Sequence, residues 1–371
     1  MTKDEFGPEY AIEVYDPKLK MEGFLVIDNT ILGPGKGGLR MTPNVSLGEV
    51  FRLARTMTWK NALAGIPFGG AKAGIRWGGG SEELKKQYVQ SFARLLKPLI
   101  PKKYIAGPDV QTGEREMRWF VEATGDSRSA TGKPADFCLE SKSGKKCGLP
   151  HELGSTGFGV AKSTEVALRL LGLNIQGATC AIHGFGNVAT FTFKFLTEMG
   201  AKVVALADSK NAIFDKNGLD GEFIQKLISE KKRLSEYPQA NQIETHDFWG
   251  LEVDILIPSS VTDIINQSNK DKISAKIIVE AANIPMREEI EQELHAKGIL
   301  IVPDFVANAG GVISSYAEYR GMTAEEMFKL VESKIRKATE TVIKKALKTK
   351  ENPRKIALEL AQAKVEFKMK K

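Results

Sequence analysis

The sequence predicts an α/β chain of two domains, and three observations carry that prediction. At 371 residues the chain is longer than one ordinary core accommodates. Beyond about residue 150, short apolar runs alternate with helical periodicity, the pattern of a parallel sheet wound with crossover helices. Before that point, amphipathic helices alternate with glycine-rich loops.

Taken in order, the first helix is announced by Ser46 and Glu49, an S-x-x-E capping box. Val50, Leu53, Ala54, Met57 and Asn61 then follow helical spacing until Gly65 and Pro67 stop it. A second amphipathic helix is predicted over 81–96, with Leu84, Tyr88, Phe92 and Leu95 on its apolar stripe. In the second half, 178–183 and 202–207 read as buried strands around a helix over 187–199, which Gly200 ends. Further strands are predicted over 253–257, 276–280 and 299–302. From about Asn308 the pattern is helical only, with segments over 323–348 and Pro353–Met369. The predicted division is a substrate-binding and catalytic domain over 1–150, a nucleotide domain over 151–310, and C-terminal helices over 311–371. Those helices are expected to pack back over the first domain and over a cleft between the two.

Composition excludes several classes. The chain is 42% hydrophobic and 27% charged, with 35 glycines and a net charge of +7, as expected of a globular enzyme. Nucleic-acid binding calls for a clustered basic stripe or a known module, and none is present. The lysine-rich end (Lys364, Lys368, Lys370, Lys371) reads as a solvated last helical turn. Three cysteines, Cys138, Cys147 and Cys180, make no disulfide framework, so free thiols in a reducing compartment are expected. Cys138, Cys147 and His151 lack a C-x-x-C pair and a fourth ligand, so no metal site is expected. The N-terminus has no apolar signal region, and no run approaches the roughly 18 apolar residues that span a bilayer. A cytoplasmic protein without membrane attachment is the expectation.

The most informative local motif is Gly184-Phe185-Gly186-Asn187-Val188-Ala189, a G-x-G-x-x-A turn between a predicted strand and helix. The first glycine makes the tight turn, the second lets backbone approach a pyrophosphate, and the small Ala189 lets the helix lie close to the strand. Asp208 closes the next strand, where a carboxylate holds ribose hydroxyls in Rossmann-type dinucleotide domains. Asp208 argues for NAD, while Ser209 and Lys210 beside it could hold a 2′-phosphate. NAD and NADP both stay open.

The first half contains three lysines in unusual settings: Lys36 within Gly33–Gly38, Lys60 on the capped helix, and Lys72 within Gly69–Gly74. Glycines flanking a lysine let backbone approach a small ligand while the ammonium reaches it. In order and spacing, these residues resemble the glutamate/leucine/phenylalanine/valine dehydrogenases over nearly the whole chain. The motifs are GPGKGGLR (33–40), MTWKNA (57–62), PFGGAKAG (67–74), GPDV (107–110), TGKP (131–134), GSTGFGV (154–160), GFGNVA (184–189) and NAGGVISSY (308–316).

That resemblance implies Lys72 as the catalytic lysine and Asp109 as its proton-transfer partner. It implies Lys60 as the anchor for a substrate α-carboxylate, and Lys36 with Ser315 as the grip on a side-chain carboxylate. Gly37 and Gly38 would shape that grip, with Val312 against the substrate methylenes. Thr156, Asn283 and Asn308 would lie near the nicotinamide. Members acting on leucine, valine or phenylalanine carry apolar residues where Lys36 and Ser315 stand. Oxidative deamination of glutamate is therefore the expected reaction, ahead of a branched-chain or aromatic substrate and of a non-catalytic metabolite-binding protein. A homo-oligomer, with a hexamer favoured, is implied by the resemblance alone. One departure stands out: the segment 138–146 reads as an insertion, and 147–153 lacks the arginine usual before the T-G-x-G turn.

Overall fold

The computed structural model describes residues 3–141, 144–150, 153–237 and 241–371. The chain forms two compact units. The first comprises Met1–Leu153, Val312–Leu330 and Leu360–Lys371; the second comprises Gly154–Gly311 and Val331–Glu359.

The first unit is built on a five-stranded sheet of β1 (Tyr10–Asp16), β2 (Met21–Asn29), β3 (Gly35–Thr42), β4 (Gly69–Arg76) and β5 (Tyr104–Pro108), in the order β1-β2-β4-β3-β5. β3 pairs in parallel with both β4 and β5. The crossovers are α1 (Leu47–Ala64) between β3 and β4, and α2 (Glu82–Leu95) between β4 and β5; α3 (Glu114–Thr124) follows. The two lysine-bearing glycine segments, expected as loops, are strands β3 and β4. Their glycines serve close approach rather than turning: a Cβ on Gly37 would lie 1.6 Å from the Ala71 carbonyl oxygen, and one on Gly70 would lie 2.0 Å from Thr58 Oγ1 of α1. Glycine-rich strands escape a search for alternating apolar residues because backbone packing, not side-chain burial, holds them.

Ser46 caps α1, accepting from the Glu49 amide, and Gly65 closes the helix in the left-handed region at φ 64°. The predicted stripe of α2 is off by part of a turn. Val89, Phe92 and Ala93 are buried while Leu95 is 44% exposed. Lys364 is a second correction, since its ammonium donates to the Ala62 and Leu63 carbonyls at 3.1 and 3.0 Å. It thus satisfies the last turn of α1 instead of facing solvent.

The segment read as an insertion forms a two-stranded hairpin of β6 (Cys138–Ser141) and β7 (Gly144–Cys147). Antiparallel register sets Cys138 directly opposite Cys147, and the two are joined in a disulfide. The expectation of free thiols there is overturned, because cross-strand register, invisible in a cysteine count, brings them together. Cys180 is free and buried. His151 lies outside the described residues.

The second unit begins with α4 (Ser155–Leu170) and continues as β8 (Thr179–His183), α5 (Asn187–Glu198), β9 (Lys202–Ala207), β10 (Ala212–Phe214), α6 (Gly221–Ser229), β11 (Asn241–Ile243), β12 (Ile255–Pro258), β13 (Ile277–Val279), α7 (Glu288–Ala296), β14 (Leu300–Val302) and α8 (Asp304–Ala307). The strand order is β11-β10-β9-β8-β12-β13-β14. β9, β8, β12, β13 and β14 are parallel, whereas β10 and β11 form an antiparallel edge that the apolar pattern did not reveal. Strand order reverses between β8 and β12, the switch point where doubly wound sheets bind ligands. The chain ends in α9 (Gly310–Arg320), α10 (Ala324–Thr349) and α11 (Pro353–Met369). No helix among the described residues is long and apolar enough to cross a membrane.

Candidate active site

In the first unit, three adjacent strands carry the charged groups. Lys36 stands at the second residue of β3, Lys72 in the middle of β4, and Asp109 directly after β5. Parallel register sets Gly38 opposite Gly107 and Leu39 opposite Pro108, so Asp109 emerges beside the centre of β3. Lys72 Nζ lies 3.0 Å from Asp109 Oδ2, which also accepts from Arg40 Nε at 2.8 Å. Arg40 in turn pairs with Glu49. The Asp109 amide donates to Thr112 Oγ1 at 2.9 Å, and Thr112 donates to the Leu39 carbonyl at 2.6 Å, fixing the loop that presents the carboxylate. Asp109 is thus more than a loop-capping aspartate.

Burial lowers the Lys72 ammonium below its ordinary pKa; Asp109 opposes that shift and Arg40 adds to it. Burial pushes the Asp109 carboxyl up, but Lys72 and Arg40 outweigh it and hold it below the usual carboxylate range. The result is a half-buried, ionised carboxylate against a buried lysine eased toward neutrality, an arrangement suited to moving protons.

Lys36 is 3% exposed and donates to the Ala106 carbonyl at 2.9 Å. Burial lowers its pKa to about 7; Glu318 works against the fall, and Lys72 and Lys133 add to it. A Cβ on Gly107 would lie 2.4 Å from Lys36 Nζ, so a larger residue there would displace the ammonium from its present position. Glu318 is itself held by Lys133 Nζ at 2.5 Å and by the amides of Gly132 and Leu149 at 2.6 and 3.1 Å. Ser315, buried, lies one turn before Glu318 on α9, and half-buried Val312 one turn before that. The TGKP motif, the turn after the hairpin and α9 therefore meet at one carboxylate facing Lys36.

Lys36 and Lys72 stand on neighbouring strands, close enough for the Lys72 charge to lower the Lys36 pKa. Lys60 is half-buried on α1, between Trp59 and Asn61; Asn61 Nδ2 donates to the Gly69 carbonyl at 2.7 Å. Gly37 and Gly38 are buried, and a Cβ on Gly38 would lie 2.7 Å from Asp109 Cβ. Sequence reasoning missed three charged groups. Arg40 and Lys133 stood inside motifs already singled out, GPGKGGLR and TGKP. Glu318 carried no signal, because its partners lie 186 and 169 residues away.

In the second unit the nucleotide motif takes the predicted geometry. Gly184 has φ 143°, its amide donates to the Ala207 carbonyl at 2.7 Å, and a Cβ there would lie 2.8 Å from the Ser259 carbonyl oxygen. Gly186 is the N-cap of α5 with no side-chain cap bond, and open space surrounds its Cβ position. Asn187 and Val188 supply the first turn of that helix, after half-buried Phe185. Uncapped amides facing open space at a helix N-terminus suit a pyrophosphate, so the residues present fit a dinucleotide. Asp208 follows β9 and, through Oδ1, accepts from the Lys210 and Asn211 amides at 2.7 and 2.8 Å. Asp208 and Ser209 line a cavity of about 400 Å³ together with His183, His246, Trp249 and Lys272. His183 stacks on Trp249 and bonds Ser260 Oγ through Nδ1 at 2.9 Å; burial lowers its pKa to about 4.

Thr156 lies in the first turn of α4, whose N-cap is Gly154, so it is not itself a cap. Asn308 ends α8 instead of starting a helix. Its Nδ2 donates to Asn283 Oδ1 at 3.0 Å and to the Ala281 carbonyl at 3.2 Å.

A doubly wound sheet with a glycine-rich βα turn, joined to an α/β unit in which a buried lysine pairs with a half-buried aspartate, defines a two-domain, nucleotide-dependent oxidoreductase. The family is more specific. The model of the Glu/Leu/Phe/Val dehydrogenase dimerisation domain matches residues 9–126, and that of the Glutamate/Leucine/Phenylalanine/Valine dehydrogenase matches residues 148–371; the chain belongs to this family. It is 39% identical over 345 residues to the glutamate dehydrogenase of Aeropyrum pernix, covering 87% of this chain and 80% of that one. It is 36% identical over 332 residues to the NADP-specific glutamate dehydrogenase of Saccharolobus shibatae, covering 84% and 75%. Among solved structures, the hetero-hexameric glutamate dehydrogenase from Thermus thermophilus (Leu-bound form) superposes with a TM-score of 0.83 at 26% identity, covering 97% of this chain and 89% of that one.

Proposed function

We infer that this chain oxidises L-glutamate to 2-oxoglutarate and ammonia, reversibly, with NAD or NADP. The observation that carries the choice of substrate is Lys36: a buried lysine, eased toward neutrality and coupled to the Lys72 centre. Opposite an apolar side chain, Lys36 and Ser315 would be stranded polar groups, costing about 1–3 kcal/mol. A side-chain carboxylate restores the charge of Lys36 and gives Ser315 an acceptor.

In this reading the first unit holds substrate and runs the proton chemistry. Lys60 anchors the α-carboxylate, Lys36 and Ser315 take the γ-carboxylate, Val312 lies against the methylenes, and Gly37 and Gly38 keep β3 thin beside them. The second unit holds the dinucleotide: Gly184, Phe185, Gly186, Asn187 and Val188 at the pyrophosphate, Asp208 and Ser209 at the adenosine ribose, and Thr156, Asn283 and Asn308 at the nicotinamide side. When bound, the nicotinamide supplies the hydride acceptor. Neutral Lys72 draws a proton from the water that attacks the iminium carbon; once charged, it stabilises the carbinolamine oxygen. Asp109 passes a proton to the departing nitrogen, held in place by Arg40 and Thr112. Cofactor preference stays between NAD and NADP.

The match to a dimerisation domain supports an oligomer, and we extend this to a hexamer by likeness to the Thermus thermophilus assembly. Cytoplasmic residence belongs to the same proposal, and cell fractionation tests it. The direct test of the reaction mixes purified chain with 2-oxoglutarate, ammonium and NADH or NADPH, and follows loss of the reduced-nicotinamide absorbance. Turnover with 2-oxoglutarate and little with 2-oxoisocaproate is expected; the reverse preference would sink the glutamate reading.

A further inference from the structure

A second buried ion cluster lies in the second unit, and no step described so far uses it. Arg354, in the first turn of α11, reaches three carboxylates: Glu280 through Nη2 at 2.5 Å, Glu291 through Nε at 2.5 Å and Asp304 through Nη1 at 3.0 Å. Glu280 and Glu291 are fully buried and Asp304 nearly so. One guanidinium thus faces three acids, and Glu280 Oε1 and Glu291 Oε1 have no hydrogen-bond partner among the described residues. Burial raises the Glu280 carboxyl well above its usual range; Arg354 opposes this while Asp304 and Glu291 add to it. An arrangement so unbalanced is a costly way to gain stability, since a well-packed apolar cluster of the same volume does as well or better. Its geometry suggests another use.

Glu280 directly follows β13, and its Oε2 accepts the Asp304 amide at 2.8 Å. Asp304 opens α8, and its Oδ2 accepts the Ile284 amide at 2.9 Å. Ile284 sits in the left-handed region at φ 50°, an uncommon conformation for a β-branched residue. Directly before it stands Asn283, and α8 ends at Asn308, whose side chain bonds Asn283 Oδ1. Two of the three acids that Arg354 grips are therefore the posts between which the Asn283 loop and the Asn308 turn are strung. The third, Glu291, stands on α7, outside that loop and that turn.

We propose that Arg354 is a positioning residue for the nicotinamide half of the dinucleotide site: by clamping Glu280 to Asp304 it holds the Asn283 loop and the Asn308 turn in register. The proposal rests on the assignment of Asn283 and Asn308 made above. It also divides the cluster, with Glu280 and Asp304 serving the site and Glu291 serving the fold.

Calorimetric titration of the full chain with NADH or NADPH, and in parallel with ADP-ribose or its 2′-phosphate, which lack nicotinamide, tests it. Arg354→Met is expected to weaken the reduced dinucleotide by about tenfold, equivalent to losing one good hydrogen bond, and to leave ADP-ribose binding and glutarate binding within about twofold. Arg354→Lys keeps the charge without the planar fork and is expected to recover part of the loss. Glu291→Gln is expected to lower the thermal midpoint with no change in dinucleotide affinity. Equal loss of dinucleotide and ADP-ribose, or loss of neither, overturns the positioning role. If Arg354→Met fails to fold, the Arg354→Lys and Glu291→Gln pair decides by the same ratio. Asn283→Ala separates the two readings: unchanged dinucleotide affinity there removes the assignment beneath the proposal, whatever Arg354 does.

Discussion

Each unit of this chain buries charge, with opposite balances. Around Lys72 in the first unit, Lys36, Arg40, Lys72 and Lys133 gather with Asp109, Glu318 and the partly exposed Glu49, and among the described residues Lys36 donates to a backbone oxygen, that of Ala106. Around Arg354 in the second unit, one cation is shared by three acids that face inward. A cation-rich cluster with a weakly satisfied lysine is completed by an anion from outside. An acid-rich cluster closed on a single guanidinium has nothing to offer a ligand and acts on the backbone instead. Buried charge alone therefore does not mark a binding site; the sign of the imbalance, and whether backbone amides already consume it, separates the two uses.

The largest expected effect falls on the proton-transfer pair. Lys72→Ala and Asp109→Asn are each expected to lower kcat by about 10²–10⁴-fold, with dinucleotide affinity retained; a loss of less than tenfold in steady-state turnover would remove this pair from the chemistry. Lys36→Leu comes next. It is expected to cost glutamate about 10–100-fold in kcat/KM, the value of one charge-assisted bond, while making the chain more stable by about 1–4 kcal/mol. Opposite movement of activity and thermal midpoint would set Lys36 apart from the residues of the Arg354 cluster.

A pH dependence sharpens the same contrast. The pKa of folded Lys36 is about 7, below its ordinary 10.5, so the folded chain binds fewer protons than the unfolded one between those values. The stability contribution of Lys36 thus rises with pH across that window, and below about 7 its full burial penalty is present. Carboxylate binding runs the other way: the affinity for glutarate is expected to fall as pH rises through 7, approaching tenfold per pH unit, and to become flat in Lys36→Leu. Titration calorimetry from pH 6 to pH 9 reads both. Smaller effects are expected at Gly184→Ala, where φ 143° and the Ser259 carbonyl predict a loss of about 1–3 kcal/mol in stability with weaker dinucleotide binding. Ser315→Ala is expected to cost glutamate only about 2–10-fold in KM, without affecting NAD(P)H.

Much of this arrangement could be read before any folding. G-x-G-x-x-A between a strand and a helix has few physical solutions, and the N-cap at Ser46 is set by local geometry, although Glu49 turns its carboxylate to Arg40 instead of completing the box. The lysines at 36 and 72 stood out because glycines around a long cation are unusual. What the sequence hid was long-range. The lysine segments are strands whose glycines admit neighbouring backbone, and the cross-strand register that joins Cys138 to Cys147 is written in neither residue.

By itself, then, the sequence determined the doubly wound second unit, the glycine turn at Gly184 and the family of the chain, since periodicity, turn chemistry and motif order are local properties. Only tertiary structure decided that Asp109 is shared between Lys72 and Arg40, that Glu318, beyond the whole Gly154–Gly311 segment of the second unit, faces Lys36, and that Arg354 draws Glu280 and Asp304 together. Electrostatic energy depends on separation and burial in space, and a linear spacing specifies neither.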